Sequence, residues 1–211
     1  MKKTLLLIFC FISLQSLSAK PSITKPVGGK EVPCTVDMED GTTKVGLVDF
    51  PLKSGAKSIT LKYDGKKEKI DLDAVKKVTF KLGLSTTQEY FCMPVYNFNG
   101  KKIQKNKQMF RLGMAGKKVT LYLGTYDWSG MANAGNGFDR FSYSGTTYYC
   151  RREGEPAATL IHEDFGVNPN ADFKLYASRY FADYPELAEK IKNKELKYDK
   201  IYEVMAMYNN R

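Results

Sequence analysis

Histidine is nearly missing. His162 stands alone in 211 residues, so no site can use two imidazoles, and any Ser-His-Asp or Cys-His mechanism must run through that one ring. The patterns H-E-x-x-H, C-x-x-C, G-x-x-x-x-G-K-[ST] and G-x-S-x-G do not occur, which removes the common zinc, redox, P-loop and serine-esterase signatures. Beyond the first 20 residues no apolar run is long enough for a membrane helix, which needs about 20 residues. The formal net charge is +10, yet the basic residues form no dense run and match no nucleic-acid motif, so nucleic acid is not an expected partner. The G-x-G at Gly135 and Gly137 lacks a third glycine and a strand-to-helix setting, and reads as a loop. Nothing in the chain implies a metal or other cofactor. Two carboxylates suffice for glycoside hydrolysis, and 23 acidic residues keep that class open.

The start of the chain reads as a leader. Lys2 and Lys3 precede the apolar run LLLIFCFISL, and QSLSA leads to a cleavage site near Ala19, the three parts of a secretory signal peptide. Phe9 before Cys10 argues against lipoprotein processing. The expected product, from about Lys20, is exported to the periplasm or beyond the cell. Residues 20–30, with Pro and Gly and no periodicity, read as a flexible lead-in. Lys2 and Lys3 supply two of the ten net charges. The remaining lysines fall at turns and strand ends (Lys66, Lys67, Lys69; Lys76, Lys77; Lys101, Lys102, Lys105, Lys107; Lys117, Lys118), where they protect sheet edges. An anionic envelope surface is the other target such a charge suits.

Three cysteines follow the leader: Cys34, Cys92 and Cys150. Export permits a disulfide, three pairings are possible, and an odd count leaves a thiol free. Buried, inert thiols on strands are the simpler expectation.

Alternation dominates the middle of the chain. Val32, Cys34, Val36 and Met38 share one face of a first strand, and Asp40-Gly41 predicts a type I′ hairpin into TTKVGLVDF. Ile59, Leu61 and Tyr63 point one way before Asp64-Gly65, a second hairpin signal. Asp71 to Lys77 predicts one helical turn, after which Val78, Phe80 and Leu82 alternate. QEYFCMPVYNF reads as a strand with an edge or bulge at Pro94. MFRLGM and KKVTLYLGTY form a hairpin about Ala115-Gly116, RFSYSGTTYYCRRE another about Ser144-Gly145, and AATLIH a last strand. Three short amphipathic helices then close the chain. Phe173, Tyr176, Tyr180 and Phe181 share a face of the first. Asp183 is positioned to cap a second carrying Leu187 and Ile191. Asp199 opens a third with Ile201, Val204, Met205 and Tyr208 at i, i+3, i+4 and i+7. The expected fold is α+β: an antiparallel β-meander, as a sheet or partly closed roll or sandwich, over 31–165, capped by short C-terminal helices over 172–209 that pack on the sheet.

Two groups of residues carry candidate chemistry. The stretch Tyr126 to Gly145 reads as an aromatic loop. Tyr126, Trp128, Phe138, Phe141 and Tyr143 beside Asn133, Asn136, Asp139 and Arg140 set flat apolar faces next to hydrogen-bonding groups, the make-up of a binding surface. The second group is His162 with Glu163 or Cys150 as an acid–base or nucleophile pair. His162, Glu163 and Asp164 cannot converge on a metal from a regular strand, whose neighbours point to opposite faces; a partly exposed strand end is expected there. The leading expectation is therefore an exported, non-enzymatic envelope or secreted interaction protein that binds a glycan, lipopolysaccharide or an envelope protein through the aromatic loop. The alternatives are a hydrolase using His162, and a helical tail that docks a partner.

The tail carries a resemblance. Tyr180, Phe181, Asp183, Pro185, Glu186, Leu187, Lys190, Ile191, Asn193, Lys194 and Glu195, with the strand from Gly116-Lys117 to Tyr122, resemble uncharacterised exported proteins of Bacteroidota that bear signal peptides. The resemblance implies a fold and an exported compartment but no activity. It also implies a cysteine before Pro185. This chain has Tyr184 there, and so would lack any disulfide that cysteine forms.

Overall fold

The structure, a computed structural model, describes residues 30–98, 100–133, 138–164 and 169–211. The expected leader, nearly all of the lead-in, and Asn136 lie outside those residues. Ten strands run in chain order: β1 (Lys30–Met38), β2 (Thr43–Phe50), β3 (Ser58–Tyr63), β4 (Lys66–Asp71), β5 (Val75–Lys81), β6 (Thr87–Met93), β7 (Gln108–Met114), β8 (Val119–Asn133), β9 (Phe138–Arg152) and β10 (Thr159–Glu163). Three helices follow: α1 (Pro169–Tyr180), α2 (Pro185–Lys192) and α3 (Ile201–Asn210). The strands form one antiparallel sheet in the order β10-β9-β8-β7-β6-β5-β1-β2-β3-β4. The architecture is an α+β antiparallel meander capped by helices.

The sheet is curled, and the chain shows why. β4 and β5 stand four strand positions apart, about 19 Å in a flat sheet at about 4.8 Å per strand. Only the 3-10 turn Leu72–Ala74 joins them, and four residues from Asp71 to Val75 reach about 14 Å at full extension. The sheet must therefore roll until the β4 end meets β5. Inside the roll, Cys34, Val36, Val48, Ile59, Leu61, Ile70, Val78, Phe80, Tyr90 and Met109 form one buried cluster. Cys92 of β6 donates its S–H to the Leu72 carbonyl at 3.1 Å across the joint. Lysines Lys66, Lys67 and Lys69 sit on β4, the outer edge strand.

Turn chemistry follows the sequence at one hairpin and departs from it at another. Asp64 (φ 48°) and Gly65 (φ 71°) both take positive φ, as a type I′ turn requires. At Asp40-Gly41 only the glycine does, at 85°. The Asp40 carboxylate accepts from Thr42 N–H at 2.9 Å and from Thr42 Oγ1–H at 2.7 Å, so an Asx turn replaces the type I′ geometry.

A second core lies between β8, β9, β10 and the helices. Val119, Leu121, Leu123, Cys150 and Ile161 meet Phe173, Ala177, Phe181, Leu187, Ile191, Ile201, Val204, Met205 and Tyr208. The helix stripes are those the periodicity marks. The caps are not. Tyr184, not Asp183, occupies the N-cap of α2, with no side-chain bond, and Lys200 occupies that of α3. The opposite face of β7–β10 is covered by the segment after β6, where Met93 and Val95 join Phe110, Tyr149, Ala158 and Leu160. Among the described residues no helix is long and apolar enough to cross a membrane.

Candidate functional site

The stretch expected as an aromatic loop is a hairpin. β8 and β9 are each 15 residues long and pair without interruption from Val119↔Arg152 to Asn133↔Phe138. The expected turn at Ser144-Gly145 is therefore corrected: Gly145 pairs with Tyr126 and Ser144 with Asp127 inside the ladder. A serine–glycine step forms a turn only when the flanking strands have nothing longer to pair with. Here the ladder continues past Ser144 for six more rungs.

The neighbours of this hairpin stop early. β7 pairs with β8 as far as Leu123, and β10 pairs with β9 as far as Thr147. One further rung is supplied by other groups. Ser54 N–H donates to Thr125 O at 3.2 Å, Thr125 N–H donates to Ser54 Oγ at 2.9 Å, and Asp164 N–H donates to Thr146 O at 3.0 Å. Gly124 makes room for this plug. A Cβ there would lie 2.4 Å from Thr147 Oγ1 and 3.0 Å from Ser54 Oγ. Tyr126 is half-buried at the boundary and its hydroxyl bonds Gln108 Oε1 at 2.5 Å. Beyond it, Asp127–Asn133 and Phe138–Ser144 pair with each other through seven rungs, and among the described residues no third strand pairs with them. At about 3.4 Å per residue this ribbon extends about 24 Å past the sheet. It brings together Trp128↔Tyr143, Gly130↔Phe141, Met131↔Arg140, Ala132↔Asp139 and Asn133↔Phe138. Of the nine binding candidates, Tyr126 sits at its base, seven sit on it, and Asn136 is outside the described residues.

The histidine group has a different geometry. A bulge between Leu160 and His162 turns both Ile161 and His162 inward, so both are fully buried. The expected partly exposed strand end is corrected on that ground. The imidazole stacks on Tyr198 at 4.8 Å and meets Tyr148 at 5.4 Å and Phe173 at 5.9 Å between ring centres. Neither ring nitrogen has a hydrogen-bond partner among the described residues, and burial lowers its pKa to about 4. Cys150 is equally buried. Its S–H lies 3.4 Å from Met205 Sδ, and burial pushes the thiol pKa well up. Glu163 is half-buried, and burial with the charge of Asp172 raises its pKa. The three residues form no hydrogen-bonded acid–base or nucleophile pair. Cys34 and Cys92 are also free and buried, with thiol pKa values raised by burial to about 11 and about 12. No cluster of three metal-ligating side chains occurs among the described residues.

One polar assembly escapes a reading of the sequence. Arg152, at the end of β9, donates from Nε to Tyr208 Oη at 2.8 Å, from Nη1 to Glu155 Oε1 at 2.8 Å, and from Nη2 to Tyr180 O at 2.6 Å and Asp183 Oδ1 at 2.8 Å. Its guanidinium lies 4.1 Å from the centre of the Tyr180 ring. Tyr208 donates to Asp183 Oδ2 at 2.6 Å, and Arg211 donates to the same oxygen at 2.6 Å. Burial works against the Arg152 charge, but its bonds to Tyr208 and Glu155 outweigh burial and raise its pKa. Burial likewise opposes the Asp183 charge, and bonds from Tyr208 and Arg211 bring its pKa below the usual carboxylate value. This network ties the sheet to α1, to α3 and to the link between α1 and α2, with every charge matched. Its partners lie far apart in sequence, which is why no local pattern reveals it.

Among the described residues lie two further open clefts. One, of about 370 Å³, lies among Lys117, Lys118, Tyr122, Arg151 and Glu153 where β8 begins and β9 ends. The other, of about 320 Å³, lies between the segment Tyr96–Phe98 and α1. No family model matches the chain, and no curated protein or solved structure matches it significantly.

Proposed function

We propose that this is an exported, non-enzymatic interaction protein of the cell envelope or its surroundings, and that the ribbon beyond Tyr126 and Gly145 is its contact element. One observation carries the reading: a seven-rung, two-stranded ribbon with Trp128, Phe138, Phe141 and Tyr143 on it stands clear of any third strand among the described residues. An isolated two-stranded hairpin is marginal in water, and its outer N–H and C=O groups are open to another strand. A partner protein that adds a strand to one edge would satisfy those groups. The buried, unpartnered His162 and the inert Cys150 support a role without catalysis.

The test is site-specific photo-cross-linking in the native envelope from a benzoylphenylalanine placed at Trp128 or Phe141. The expected result is one adduct of defined mass from either position. None is expected from Val45, which is 69% exposed at a distant place on β2. Adducts from Val45 and none from the ribbon would overturn the assignment. A parallel thermal-shift panel of lipopolysaccharide and neutral and acidic glycans separates the ligand classes. A ligand at a hundredfold excess over its Kd adds about 2.7 kcal/mol, about 5–10 °C at this size, and Trp128→Ala abolishes a shift that arises at the ribbon.

A further inference from the structure

We propose that the cleft between Tyr96–Phe98 and α1 is a second binding site, and that it takes a saccharide unit bearing a carboxylate. The site is separate from the ribbon and does not depend on it. Its first wall is a fixed platform. Val95 bridges Ala158, and Tyr96 N–H donates to Ala158 O at 2.9 Å, which anchors the segment along β10. Asn97 then locks the following turn: its Oδ1 accepts from Lys101 N–H at 3.0 Å and Lys102 N–H at 3.2 Å. On this platform Phe98 is 59% exposed, its ring in a T-shaped contact with Tyr176, centres 5.0 Å apart, that occupies at most one of its faces. An exposed ring so held leaves a face free for the C–H side of a sugar, as aromatic side chains do in ligand clefts.

The charges of the lining decide the sign of the ligand. Arg152 and Glu155 line the cleft but are engaged elsewhere. The Arg152 donors serve Tyr208, Glu155, Tyr180 and Asp183, and both Glu155 oxygens accept, one from Arg152 Nη1 and the other from Tyr180 Oη–H and Arg152 N–H. Arg179 is different. It is exposed on α1, lines the same cleft, and no described group takes a hydrogen bond from its guanidinium. Burial raises the pKa of the adjacent Tyr176 hydroxyl, Asp172 and Glu163 add to the rise, and Arg179 pulls against them, so its charge is felt inside the cleft. Asp172 lies about two turns before Arg179 on α1 and does not line the cleft. A guanidinium with open donors is matched by a carboxylate, bidentate and planar. Thr159 adds a hydroxyl to the same lining. At about 320 Å³ the cleft is at the small end of ligand sites and suits one sugar ring rather than an extended chain.

The test is a calorimetric titration of the protein with trigalacturonate, galactotriose and inorganic phosphate, with amide NMR to place each. Trigalacturonate is expected to shift the amides of Tyr96–Phe98, Thr159–Leu160 and Tyr176–Tyr180, and to bind at least tenfold tighter than galactotriose. Arg179→Gln is expected to weaken it about tenfold or more, the usual range for a hydrogen bond to a charged group, and Phe98→Ala severalfold. Both positions are exposed, so melting temperatures should stay at the wild-type value. Lys174→Gln, exposed on the same helix outside the cleft, and Trp128→Ala, on the ribbon, should bind as wild type. Three results would overturn the site: no binding of trigalacturonate, equal affinity in Arg179→Gln, or phosphate occupying the same residues as tightly.

Discussion

His162 is the residue whose surroundings have the sharpest consequence. Its ring nitrogens lack partners among the described residues, and its pKa falls from 6.5 to about 4 through burial. The folded state therefore resists a proton that the unfolded chain accepts. Its contribution to stability is fully present above about pH 6.5 and is lost as pH falls toward 4. At about 1.36 kcal/mol per pKa unit, the full loss is about 3 kcal/mol. His162→Phe keeps a ring among Tyr148, Phe173 and Tyr198 and removes two unpartnered polar atoms, a change that is neutral or stabilising when shape is kept. The expected outcome is an unchanged or slightly raised urea midpoint at pH 7.5, and a smaller fall than wild type between pH 6.5 and 4.5. Identical pH profiles would show that another group titrates in that window. Nothing in the letters IHED announces this box: strand alternation would put Ile161 and His162 on opposite faces, and the bulge that puts both inside has no local signature.

Elements were legible where burial imposes a period and obscure where it does not. Ile201, Val204, Met205 and Tyr208 of α3 face the sheet because a helix must bury one stripe. The ribbon was hidden because its Gly, Ser and Asn residues break the alternation that marks a strand, so its backbone register rather than its composition makes it one. The caps were hidden because Asp183 is drawn into the Arg152 network, which offers it more than one helix N-terminus. One amide makes four hydrogen bonds along the seam between α3 and β8. Asn209 Oδ1 accepts from Lys118 N–H at 2.9 Å and Val119 N–H at 3.1 Å, while its Nδ2 donates to Val119 O at 3.1 Å and Met205 O at 2.9 Å. Gly116 lies against it, where a Cβ would meet Asn209 Nδ2 at 2.3 Å. Asn209→Ala takes the acceptor from the half-buried Val119 N–H and from the exposed Lys118 N–H. It is expected to cost about 1–3 kcal/mol, read as a lower urea midpoint with an unchanged slope. Faster amide exchange at Val119, with β1–β5 unaffected, would locate the damage at the seam.

At the scale of the whole molecule, the helices decide whether the sheet exists in water. The roll of β1–β7 closes on its own core, but β8, β9 and β10 offer Val119, Leu121, Leu123 and Ile161 only to α1, α2 and α3. Exposing those four side chains costs about 1.5–3 kcal/mol each, or on the order of 6–12 kcal/mol together. A domain of ordinary stability holds only about 5–15 kcal/mol in all, so the loss is comparable to everything the fold has. The Arg152 network goes with it, leaving Arg152 and Glu155 without Asp183, Tyr180 and Tyr208. A chain ending at Asp164 is therefore expected to aggregate or to lose the dispersed amide spectrum of β8–β10, while the full chain unfolds in one urea transition. A truncated chain that stays monomeric, with native far-ultraviolet dichroism and native amide shifts in those strands, would show that the helices are not part of the core. They would then be a surface appendage, free to dock a partner of their own, and the division of the chain into a closed roll and a helix-dependent half would have to be abandoned.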